Sequence, residues 1–187
     1  MQSHRRILGG VLIFVGSGLF LLGMIIAEAR YPGYSVSNNL ISDLGVGPTA
    51  PIFNSAAILD GLAVIASVLL MRRHFSSRIF LILLGLSGIG ILGVGLFPET
   101  AHYLHDASAA LAFIFGGSSA VYSSRLLLTP FRYLSAYLGG LSIAAFLLFV
   151  IGYHLGLGPG GMERLIVYPI IIWSMGFGGA LMEPYRS

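Results

Sequence analysis

Two carboxylates, Glu99 and Asp106, and two histidines, His102 and His105, stand at the start of a largely apolar segment, PETAHYLHDASAALAF at 98–113. Neutral imidazoles ligate zinc, iron and copper, and carboxylates either orient such rings or act as general bases. On a helix, positions 102, 105, 106 and 109 form one broad stripe, which would set His102, His105 and Asp106 on a common face. Two more ionisable residues join this set: His154 at the end of a later apolar run and Asp60 inside an earlier one. Asp60 lies about 15 Å along its helix at 1.5 Å per residue. A carboxylate that deep in an apolar segment needs a partner, a proton or a wet cavity, and marks a functional site by default. Asn54 precedes Asp60 by six positions, about 240° around a helix, so the two face apart.

The elements that must position these residues follow from composition. Of 187 residues, 56% are hydrophobic and 9% charged, and the mean hydropathy is +0.90. This is far too apolar for a soluble domain of that length and implies an integral membrane protein. A bilayer core of about 30 Å takes roughly 20 apolar residues per helix. Six runs reach that length: about 7–28, 51–71, 78–97, 101–127, 131–156 and 164–183. The expected fold is therefore an all-α integral membrane protein, a six-transmembrane-helix bundle forming one domain over 1–187. Cysteine and lysine are both absent, which excludes disulfides, thiolate metal sites and Schiff-base chemistry. The net charge of +3 comes from arginine, and the arginines sit in short clusters between apolar runs, where they report orientation rather than nucleic-acid binding.

Arg5, Arg6, Arg72, Arg73, Arg78, Arg125, Arg132 and Arg186 fall on one side of such a bundle, and only Arg30 and Arg164 on the other. The positive-inside rule then makes both termini cytoplasmic, in a multi-pass protein of the plasma membrane. The first run follows Arg5-Arg6 and precedes Ala27-Glu28-Ala29, as a signal peptide does. Its apolar stretch exceeds the usual 7–15 residues, so it reads as a retained helix. Small residues let helices approach in lipid: Ala112, Gly116 and Ala120 in the fourth run and Gly85, Gly88, Gly90, Gly93 and Gly95 in the third predict close packing of that pair, with "SMGFGGA" doing the same in the sixth. This topology brings Glu28, Asp43, Glu99, His102, His105, Asp106, His154 and Glu163 to the outer end, and leaves His4 and His74 at the inner one.

Two segments, NNLISDLGVGPTAPIFNSAAILDGLAVI and GIGILGVGLFPETAHYLHDASAALAFIFGG, resemble the bacterial and archaeal multi-pass membrane family called domain of unknown function 998. The similarity rests on Ser42 to Gly45 in the first outer loop, Phe53-Asn54 opening the second helix, and Phe97-Pro98 leading to His102 and His105. It implies six helices and no settled biochemical role, and it makes Asp43, Asn54, Pro98, His102 and His105 family marks. A looser similarity, in residue types alone, links the chain to intramembrane zinc amidases of the ceramidase type. Those have a different number of helices, and their motifs do not align here.

Three functional readings follow. The foremost is a metal or b-type haem site. His102, His105 and His154 would complete a zinc-type set with an open position, or His154 would pair with His105 or His102 as haem axial ligands from different helices. The second is a zinc-dependent hydrolase of a lipid or lipid-linked substrate at the outer leaflet, with Asp60, Asp106 or Glu99 as base and Ser42 assisting. The third is a non-catalytic lipid- or partner-binding protein, in which Asp43, Asn54 and Glu99 tie the outer loop to the helices. Membrane lipids are the expected partners, and a homo-oligomer or another membrane protein is compatible. Nucleic acid is not expected. A secondary transporter has less support, since Asp60 is the lone midplane charge and Pro169 has no matching break in another helix.

Overall fold

The computed structural model describes residues 2–75 and 77–183, so Arg186 lies outside the described residues. Among these residues there are six α-helices and no strands: α1 (Gln2–Arg30), α2 (Ala50–Met71), α3 (Arg78–Leu96), α4 (Tyr103–Ser123), α5 (Phe131–Val150) and α6 (Gly158–Met182). Five are long and apolar enough to cross a membrane. The exception is α4, whose hydropathy is lowered by His105, Asp106, Ser108, Ser118, Ser119 and Ser123.

The helices pack in chain order and α6 returns to α1, closing a ring, with a smaller contact between α4 and α6. Leu22, Leu69, Ile82, Leu147 and Ile172 are exposed on the outside of this ring, the surface expected of a bundle that faces lipid rather than water. Small residues set the closest approaches. A Cβ on Gly10 of α1 would lie 2.6 Å from the Gly178 carbonyl of α6, and one on Gly90 of α3 would lie 2.7 Å from the Ser108 carbonyl of α4. The expected pairing of α3 with α4 holds at Gly90 and Gly93, whereas Gly88 and Gly95 turn to α2.

Of the boundaries that differ from expectation, three have a clear local reason. α5 stops at Val150 instead of 156 because Gly152, Leu155 and Gly156 take positive φ values of 76°, 53° and 76°, so His154 lies in the connection rather than on a helix. α6 starts at Gly158, earlier than 164, because Pro159 occupies its first turn, where a missing N–H breaks no intrahelical bond. α4 starts after a 3₁₀ turn, Glu99–Ala101, and His102 is its N-cap with φ 36°. That backbone reversal takes His102 off the helical stripe: His102 and Asp106 are exposed, while His105 is buried.

Candidate functional site

The long connection between α1 and α2 folds over one end of the ring as two 3₁₀ turns, Ser42–Gly45 and Gly47–Thr49. Side chains from the helices hold it there. Glu163, buried in the first turns of α6, accepts the Ile41 backbone N–H. Asn54 Nδ2 in α2 donates to the Gly45 carbonyl at 3.1 Å. Asp43 accepts from Asn39 Nδ2 at 2.8 Å and from the Leu40 N–H at 3.0 Å, which sets the entry to the first turn. Arg164 donates to the carbonyls of Val36 at 2.9 Å and Asn39 at 3.2 Å, to Tyr34 Oη at 2.7 Å, and to Glu28 Oε1 at 2.5 Å. The Ser37 carbonyl accepts the Gly160 N–H at 2.9 Å, satisfying one of the donors that a helix N-terminus leaves free. The connection is thus a cap tied to α1, α2 and α6.

Beneath the cap lies a cavity of about 60 Å³, room for several waters when one buried water needs roughly 10–15 Å³. Its wall is largely apolar and comes from α1, α2, α3, α4, α6 and the cap turn, with nothing from α5. Three buried ionisable side chains are in that wall: Asp60 from α2, His105 from α4 and Glu163 from α6. Asp60 Oδ1 accepts from Ser17 Oγ of α1 at 3.2 Å. His105 Nδ1 lies 2.8 Å from the Phe97 carbonyl. A carbonyl only accepts, so Nδ1 carries the proton and donates to it.

The structure therefore divides the sequence-selected residues. Asp60 and His105 share the cavity wall. His102 and Asp106 are exposed, and His154 packs its ring on Phe149, with centroids 5.8 Å apart. Asp43 and Asn54 belong to the cap, and Glu99 stands half-buried in the turn before α4. The cavity offers one imidazole, and among the described residues no three His, Asp or Glu side chains form a group able to hold a metal ion. The fit for a three-histidine zinc set or a bis-histidine haem is accordingly poor. Sequence reasoning missed Ser17 and the hub role of Arg164. The available signal for the latter was that Arg164 is one of only two outer arginines and lies at the same end as Glu28.

At the capped end, outside the spans, Glu99 and Tyr34 are displaced from their ordinary ionisation. Burial first, then the neighbouring Asp43 carboxyl and the Asp106 charge, raise Glu99 to about 7. Burial raises Tyr34 to about 12 against the opposing pull of Arg164.

A closed ring of apolar-surfaced helices, capped at one end over an internal cavity, defines a helical bundle of the multi-pass membrane type. Within that class the chain belongs to the family described as "Protein of unknown function (DUF998)", whose model matches residues 14–180, a stretch that includes the whole cavity wall and the cap. No curated protein and no solved structure matches the chain.

Proposed function

We propose that this protein is a plasma-membrane binding protein with six membrane-crossing helices and both termini in the cytoplasm, whose capped cavity takes a small, mostly apolar ligand. One observation carries the reading: a largely apolar cavity between the helices with only a few polar groups, Asp60, His105 and Glu163, in its wall. Ligand sites commonly have this make-up, apolar surface for affinity and sparse polar groups for orientation. α4 counts as a crossing helix because its polar residues His105 and Ser108 are buried in the ring, while Leu104 and Ile114 are exposed.

The test is native mass spectrometry of protein released from nanodiscs, comparing wild type with Ala109→Phe, which fills the cavity from α4. A retained one-to-one ligand in wild type, lost in Ala109→Phe, is the expected result. Equal retention in both proteins would move the binding site elsewhere. The metal and haem reading draws on His105 alone, and the hydrolase reading on Asp60 and Ser42, both in the wall. An absorption spectrum and elemental analysis of the same preparation decide between these and simple binding: stoichiometric metal lost in His105→Ala would revive them.

A further inference from the structure

The cavity wall holds two carboxyl groups and no arginine. Asp60 and Glu163 are carboxyl groups, and His105 has its Nδ1 committed to the Phe97 carbonyl. The Ser17 hydroxyl already donates to Asp60. The residues lining the cavity include no arginine, and the chain has no lysine. The Arg164 guanidinium is directed to the cap carbonyls, Tyr34 and Glu28 instead. Ser17, Ser42 and Ser174 supply the hydroxyls of the wall, so what its two carboxyl groups lack is a cationic partner. Where the acceptors are carboxylates, a cationic donor is favoured most, since a charged pair makes the stronger hydrogen bond. The remaining wall suits an apolar body: Phe20, Phe53 and Phe113 contribute rings, with Phe20 and Phe53 5.6 Å apart between centroids. Aromatic faces also attract an ammonium group.

We propose that the cavity binds an apolar amine, with the ammonium on Asp60 and the hydrocarbon part among Phe20, Phe53 and Phe113. His105 and Glu163 are further polar groups on the same wall. This inference rests on the ligand-cavity reading and narrows it to a chemical class. Two sources share that chemistry, a water-borne small amine and a membrane-borne long-chain amine.

The experiment measures binding to the full-length protein in nanodiscs at pH 7 by isothermal titration. The probes are 2-phenylethylamine and dodecylamine, each against its uncharged counterpart, 2-phenylethanol and dodecanol. The amines are expected to bind at least tenfold more tightly than the alcohols, to lose about tenfold in Asp60→Asn, and to be unaffected by His4→Ala at the opposite end of the bundle. Preference for 2-phenylethylamine would identify a water-borne ligand, and preference for dodecylamine a membrane-borne one. Alcohols that bind as tightly as amines, with both lost in Ala109→Phe, would overturn the amine assignment and leave the ligand cavity standing. Amine affinity unchanged in Asp60→Asn would also overturn it. If none of the four probes distinguishes wild type from Ala109→Phe, both readings fall. The amine-to-alcohol comparison uses wild type only, so it holds even where Asp60→Asn does not accumulate.

Discussion

Arg164 distributes one guanidinium over three backbone carbonyls, a phenol and a carboxylate, and it is nearly buried with its partner Glu28. Removing one member of a buried ion pair strands the other and typically costs about 3–5 kcal/mol. Arg164→Ala should therefore lower stability by about that amount, whereas Glu28→Gln, which leaves the other acceptors in place, should cost about 1 kcal/mol. Chemical unfolding in detergent micelles measures both, and equal losses would remove Arg164 as the hub of the cap. Glu99 gives a pH signature at the same scale. Its folded-state pKa of about 7 lies above the ordinary 4.5, so the folded protein binds the extra proton between those values. Its contribution is complete below about 4.5 and is lost as pH rises through about 7. Glu99→Gln should flatten the fall in cap stability across that window, read by hydrogen exchange at residues 41–46; an unchanged slope would assign the fall to another group. Of these residues, the sequence made the individual types legible but not their pairings. Glu28 and Arg164 stand 136 positions apart, and Ser17 is an ordinary small residue of an apolar run until the fold brings it to Asp60.

At the scale of elements, the apolar runs located the helices, five of them by length and hydropathy, whereas α4 falls short in hydropathy. The glycine-rich third run also announced its close contact with α4. What the runs could not reveal was where one helix yields to a turn. Pro159 looked like loop composition and is instead a helix start, and His102 looked like a helical position and is instead an N-cap with positive φ. Both outcomes turn on backbone dihedrals that hydropathy does not register. The closeness of α3 and α4 at Gly90 makes a direct prediction. A methyl there would run into the Ser108 carbonyl and the Ala112 backbone, and overpacking of this kind costs about 1–3 kcal/mol. Gly140 of α5 has open space beside it, and alanine there should be neutral or slightly stabilising. Thermal unfolding of Gly90→Ala beside Gly140→Ala tests this, and equal melting temperatures would mean that α3 and α4 are not in backbone contact.

For the whole molecule, the two ends of the ring differ in chemistry. One end carries the cap with Glu28, Asp43, Glu99 and Glu163, and the other carries Arg6, Arg72, Arg73, Arg78, Arg125 and Arg132. The cap and cavity therefore open toward the outside if the positive-inside rule governs this chain. The cavity was not legible from charge or hydropathy, because its wall is assembled from five helices and one turn. The chain contains no cysteine, so single cysteines report orientation without background. Asn38 is exposed in the cap and Leu128 is exposed in the connection between α4 and α5 at the opposite end. In intact cells, a membrane-impermeant maleimide should label Asn38→Cys and leave Leu128→Cys unlabelled until the membrane is permeabilised. The reverse pattern would place the cap in the cytoplasm and make its cavity a site for cytoplasmic ligands. Labelling of both in intact cells would mean that these two connections share the outer face, which contradicts an antiparallel ring crossing the bilayer from end to end.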